Sequence, residues 1–196
     1  MKNAKPDFTT VIITPVFRLS YPHVWEPVFN QLAKREEYSI QMLFDKKEKA
    51  GLNAMAALVG ELIAWKGWGK EARKPFIDGD TKKDSAGVLY SEKNPCNKGM
   101  IILRSWSKQA PGVVDPTGKH PITQHDEIYG GCYCKAQLNA YAYEQAGNRG
   151  VSFGLLHLQK VKDGEPFGNR TRAEDAFAPV ENAGEIESSS DESMFG

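Results

Sequence analysis

The sequence predicts a mainly β fold with one main α-helix, in which short strands close into an antiparallel barrel. Three observations lead there. Most apolar residues sit in short alternating runs separated by Gly, Pro, Asn and Asp turns. Only one segment repeats its apolar residues at helical spacing. After Arg172 the composition turns acidic and Ser-rich, which leaves the fold to residues 1–172 and makes 173–196 a disordered acidic tail.

Val11 to Leu19 is rich in Val, Ile, Thr and Phe and reads as a strand, with Pro15 marking an edge or a bulge. Tyr21-Pro22-His23 and Glu26-Pro27 are expected to break regular structure, and residues 28–34 to form a short helix. Tyr38, Ile40, Met42 and Phe44 alternate along the next strand. Within residues 46–65, Leu52, Met55, Leu58, Val59, Leu62 and Ile63 form the stripe of the main helix, which should end by Gly67 or Gly69. Lys46 to Lys49 would be its solvated start. Residues 71–95 carry turn signals at Asp78-Gly79, Ser85-Ala86-Gly87 and Asn94-Pro95, and read as a long loop with a short strand at 88–90. Met100 to Ser107 is a strand. Pro111-Gly112 and Asp115-Pro116-Thr117-Gly118 turn a hairpin-like excursion. Tyr129 to Glu144 is a long strand, 146–150 a tight turn, and Val151 to Lys162 the antiparallel partner. This content fits a small OB-fold-like antiparallel β-barrel, with a β-sandwich as the structural alternative.

The formal net charge of zero hides an asymmetry. All 25 Lys and Arg lie at or before Arg172, against 18 of the 25 Asp and Glu, so the body carries +7 and the tail −7. A basic body suits a polyanionic partner, and a tail of opposite sign can occupy the same surface when that partner is away. No apolar run approaches the roughly 18 residues of a membrane span, and no leader peptide is expected. Cys96, Cys132 and Cys134 are an odd set that argues for a reducing compartment.

The most informative segment is 130–144. Successive strand residues face opposite ways. One face collects Cys132, Cys134, Ala136, Leu138, Ala140 and Ala142, all suited to a core. The other collects Tyr133, Lys135, Gln137, Asn139, Tyr141 and Tyr143. Aromatic rings accept any base as a stacking partner while nearby cations meet phosphates, so this face points to a single-stranded nucleic acid. The plainer reading is cross-strand packing with wet hydroxyls. Arg104, Trp106 and Lys108 repeat the pattern on the 100–108 strand, and Lys160 and Lys162 offer phosphate contacts on the last one. Trp65 and Trp68, beside Lys66, Lys70, Arg73 and Lys74, either extend that path or plug the core.

No catalytic, cofactor or metal site is expected. Cys96, His120 and His125 could in principle complete a zinc site with Cys132 and Cys134, but the spacing matches no standard pattern. Asp78, Asp80 and Asp84 would suit a metal-dependent nuclease, but Asp78-Gly79-Asp80 reads more simply as a turn. There is no phosphate-cradling glycine loop for ATP.

Several stretches resemble one family. They are Thr14-Pro15-Val16-Phe17-Arg18-Leu19-Ser20-Tyr21-Pro22, Pro75-Phe76-Ile77-Asp78-Gly79-Asp80, Ile128-Tyr129-Gly130-Gly131-Cys132-Tyr133 and Asn139-Ala140-Tyr141-Ala142-Tyr143, with the runs 148–155 and 160–168. Together they are similar to tailed-phage single-stranded DNA-binding proteins, and in plan to those of short-tailed phages. The resemblance implies an OB-fold barrel with an added helix and an acidic tail. That tail would contact the phage polymerase and helicase and compete with DNA. Glu185, Glu187, Asp191, Glu192 and Phe195 would make those contacts, although Phe195 is penultimate here, before Gly196. The expected role is sequence-independent protection of single strands in phage DNA replication and recombination, in the host cytoplasm. Duplex DNA is a rival ligand, and the 110–127 excursion is either a DNA-gripping hairpin or a homodimer contact.

Overall fold

The computed structural model describes residues 6–31, 33–145 and 147–168. In chain order its elements are β1 (Val11–Ile13), β2 (Phe17–Asn30), β3 (Arg35–Asp45), α1 (Lys49–Trp65), β4 (Ile77–Asp78), α2 (Tyr90–Lys93), β5 (Met100–Ser107), β6 (Gly112–Val114), β7 (Tyr133–Gln145) and β8 (Asn148–Lys162). Hydrogen bonding runs in the order β1-β7-β2-β3-β5-β8-β6, and a further β7–β8 pairing closes β2, β3, β5, β8 and β7 into a ring. Contacts within the ring are antiparallel except that of β5 with β8. This is the five-stranded OB barrel. Among the described residues no helix is long and apolar enough to cross a membrane.

Inward residues of all five ring strands fill the barrel, among them Phe17, Leu19, Ile40, Met42, Phe44, Leu103, Leu138 and Phe153. Phe17 and Phe44 meet edge to face at 5.5 Å, and truncating a buried Phe of this kind costs about 3–5 kcal/mol. Helix α1 follows β3 and adds Met55, Leu58, Val59 and Leu62 to this core, with Leu52 and Ile63 partly buried against it. The stripe read from the sequence is therefore the packing face.

Several local expectations are corrected. The prolines do not end β2. The strand runs through Pro22 and Pro27, and its pairing with β3 is irregular between Ser20 and His23 and between His23 and Val28. Residues without an N–H fall where the ladder is interrupted. The expected helix at 28–34 is instead the end of a hairpin, in which Val28, Phe29 and Asn30 pair with Glu37, Glu36 and Arg35. Asn30 Oδ1 accepts the Ala33 N–H at 3.0 Å and holds that turn. In the 71–95 segment the strand is at Ile77–Asp78, pairing with β5, while Tyr90–Lys93 is helical. Lys46 is not a solvated helix start: its Nζ donates to Asp78 at 2.6 Å and Asp80 at 2.7 Å. The hydrogen bonds to Asp78 and Asp80 raise the Lys46 pKa, and Lys46 lowers both carboxylates. The 110–127 excursion does turn back on itself, through a Val114–Pro121 bridge, and its first arm, β6, lies parallel to β8. Residues 173–196, and with them Glu185, Glu187, Asp191, Glu192 and Phe195, lie outside the described residues.

Candidate nucleic-acid interface

The alternation of β7 places Cys134, Ala136, Leu138 and Ala140 in the core and leaves Tyr133, Lys135, Gln137, Asn139 and Tyr141 half-buried on the outer face. Pairing then fixes what stands beside them. His23, Ser39, Trp106, Gly154 and Asn139 are successive partners across β2, β3, β5, β8 and β7. Trp106 thus stands at the middle of the outer sheet, and Gly154, lacking a side chain, leaves room for the Tyr141 ring of β7 to reach it. The Tyr141 ring meets Trp106 edge-on, with centroids 6.1 Å apart. Burial pushes the Tyr141 phenol pKa up, so it stays neutral. Nearby on the same floor, Arg104 is paired with Gln41 and donates to its Oε1 at 3.2 Å.

A groove of about 750 Å³ lies over β2, β3 and β5, lined among others by His23, Gln41, Arg104 and Trp106. The 84–97 segment forms its wall. Tyr90 sits 5.7 Å from the Arg104 guanidinium, and Lys93 pairs with Asp84 at 2.9 Å. Two ties keep that wall in place. Asp80 accepts the Gly99 N–H as well as Lys46, and Asn97 Nδ2 donates to the Tyr90 carbonyl at 2.9 Å. At the hairpin end, the Arg35 guanidinium lies 4.0 Å from the Trp106 ring centroid.

The sequence-selected residues do not form one site. Arg104, Trp106 and Tyr141 come together at the groove, with Tyr143 one step along β7 and Lys108 exposed just past β5. Tyr133 lies eight residues before Tyr141, about 27 Å along an extended strand. There Lys162 is 4.6 Å from the Tyr133 ring and Arg18 is 5.4 Å from it, while Arg18 also covers Phe167 at 4.3 Å. Lys135 lies between the two groups, opposite Gln159.

Lys160 does not share a face with Lys162. Tyr133 pairs with Lys162 but Cys134 with Lys160, so one extra residue, Val161, turns the strand over. Lys160 is buried and pairs with Asp163 at 3.0 Å. Burial works to lower its pKa, but the Asp163 carboxylate outweighs this and the net shift is upward. This takes Lys160 off the outer surface. Four groove residues missed in the sequence are Tyr21, His23, Tyr90 and Lys93; a fifth missed contact, Arg35, covers Trp106. Trp65 and Lys66, 4.4 Å apart, border a separate cavity of about 570 Å³ that Tyr141 also lines.

The sequence profile of the Enterobacter phage Enc34 ssDNA-binding protein family matches residues 9–188. The chain belongs to this family. A relative, protein p50 of Acyrthosiphon pisum secondary endosymbiont phage 1, is 26% identical over 164 residues, covering 76% of this chain and 82% of its own. The fold is similar to that of the single-stranded DNA-binding protein from bacteriophage Enc34 in complex with ssDNA, with a TM-score of 0.69, 23% identity and coverage of 81% of this chain and 90% of that one. It is also similar to gp2.5, a single-stranded DNA binding protein encoded by bacteriophage T7, with a TM-score of 0.50, 16% identity and coverage of 84% and 98%. The Enc34 family is one of binding proteins, not enzymes, which sets the nuclease alternative aside. In this Enc34-family chain, moreover, Asp78 and Asp80 are both engaged by Lys46 and Asp84 by Lys93.

Proposed function

We propose that this protein binds single-stranded DNA without sequence preference, in the groove over β3 and β5, and protects it during phage DNA replication and recombination in the host cytoplasm. One observation carries the reading: Trp106 and Arg104 stand together on the outer face of β5 beside β3, the third and second barrel strands and the surface on which OB folds hold oligonucleotides. Flat groups in the groove stack on unpaired bases, Arg104 and Lys108 neutralise phosphates, and counterion release drives association. Arg104, Trp106, Lys108, Tyr141 and Tyr143 are the proposed contacts at this end. Tyr133, Lys135 and Lys162 are at most peripheral. Family membership and the likeness to a barrel solved with ssDNA support the same ligand.

The charge of −7 after Arg172 supports a second element of the proposal. The acidic segment competes with DNA for the basic body and, through Glu185, Glu187, Asp191, Glu192 and Phe195, docks replication proteins such as a polymerase and a helicase. The stacking term separates this reading from a duplex-binding architectural role, because paired bases present no free faces. In a competition assay the protein should prefer oligo(dT) over a duplex of equal length. Equal affinity would sink base stacking as the main source of binding.

A further inference from the structure

The geometry points to the Arg35 guanidinium, seated on Trp106, as the plane on which a base stacks at the hairpin end of the groove, with Glu37 as its positioning residue. The inference rests on the groove reading above and refines it. Arg35 Cζ lies 4.0 Å from the Trp106 ring centroid, which is stacking distance, so one face of the indole is already covered. The Tyr141 ring stands edge-on at 82° to the indole. A base arriving from the hairpin side therefore meets a guanidinium before it meets the ring. Arg35 remains 35% exposed, so it offers a face to solvent.

Glu37 explains why Arg35 stays there. Its Oε2 accepts from Arg35 Nε at 3.2 Å, and its Oε1 from Asn30 Nδ2 at 2.5 Å. The carboxylate is 7% exposed, an unusual charge to bury beside a groove meant for a polyanion. Paired with Arg35 it is neutralised, and the pair brings the groove a fixed flat group rather than a net positive charge. Bases stack on guanidinium planes as they do on aromatic rings, and a lysine ammonium, although equally charged, offers no such plane. Asn30, Arg35 and Glu37 all belong to the paired end of the β2–β3 hairpin, so the stacking plane is built by the strand register and not by a free loop.

The test compares Arg35→Lys, Glu37→Gln and Trp106→Ala with wild type in titrations of oligo(dT) at several salt concentrations, with thermal melts to confirm folding. Arg35→Lys should weaken binding roughly tenfold, the size of one lost stack, with the salt slope unchanged because the charge is kept. Glu37→Gln leaves the Arg35 charge unpaired and should steepen the salt slope, while at high salt, where stacking dominates, it should weaken binding by a smaller factor than Arg35→Lys because Arg35 loses its anchor. Arg35→Lys and Trp106→Ala combined should cost less than the product of their separate effects, because both break one stack. Wild-type affinity in Arg35→Lys, or losses that simply multiply, would overturn the inference while leaving the groove intact. If Trp106→Ala also binds normally when folded, the groove reading falls with it.

Discussion

The two ends of β7 carry the same kinds of side chain and use them differently. Near its C-terminal end, Tyr141 leans on Trp106 beside a groove floored by Arg104, a cation exposed to solvent. Near its N-terminal end, Tyr133 is flanked by Lys162, which is exposed, and by Arg18, which is engaged within the chain. Arg18 donates through Nε to the Gly131 carbonyl at 3.1 Å and through Nη2 to the Glu165 carbonyl, and it lies over Phe167. Gly131 has φ +120, and a Cβ there would collide with the Glu165 carbonyl, so only glycine allows this close crossing. The Arg18 end ties segment 163–168 to the barrel, while the Trp106 end presents its groups outward. A row of rings and cations on a strand thus indicates a binding face only where other parts of the chain have not already taken those groups as partners.

The largest expected difference follows directly. Trp106→Ala should weaken oligo(dT) binding by about 2 kcal/mol, or roughly thirtyfold, the value of a lost stacking platform. Tyr133→Ala should leave affinity near wild type and instead lower the melting temperature. Fluorescence or filter-binding titrations of both variants, each with a melt, check the pair. Similar affinity losses in the two would erase the distinction between the ends.

A smaller effect should appear on the stability side. Arg18→Ala removes two charge-assisted hydrogen bonds and two ring contacts from a half-exposed site. We expect a loss of about 1.5 kcal/mol in denaturant unfolding, with oligo(dT) affinity retained. Weakened DNA binding in a protein of unchanged stability would move Arg18 from the structural cluster to the ligand surface.

The sequence made the barrel legible where local pattern decides local structure. The alternation of 133–141 assigns each residue to the core or the outside because the strand is regular there, though Ala142, expected in the core, is only half-buried, and the stripe of α1 survives because it is the packing face. Legibility failed where non-local pairing overrides a local signal. Pro22 and Pro27 looked like breaks because their N–H groups are missing, yet a long hairpin tolerates them at its irregularities. Losing that hairpin hid Arg35, which lies over Trp106, 71 residues later in the chain, and Glu37, which holds Arg35. The bulge at Val161 is equally invisible by pattern, since Lys160 and Lys162 are two apart and by strict alternation share a face. Tyr90 and Lys93 join the groove through the 84–97 wall, which follows the Asp78–Asp80 turn held by Lys46, far away in sequence.

The smallest effect compares single charges at the two ends. Each phosphate neutralised on a single strand adds about 0.7 to the slope of log affinity against log salt. Among the described residues Arg104 has Gln41 as a neutral acceptor and Tyr90 as a ring neighbour, so its charge is available to a phosphate. Lys162 lies over Tyr133, about a strand's length away from Trp106. Arg104→Gln should therefore flatten the salt dependence by about one phosphate contact, roughly 0.7 in slope, while Lys162→Gln leaves it as in wild type. Affinity measured between low and moderate salt decides between them. If both variants flatten the slope equally, the DNA path extends along the whole outer face of β7, and Tyr133 with its cations would belong to the binding surface after all.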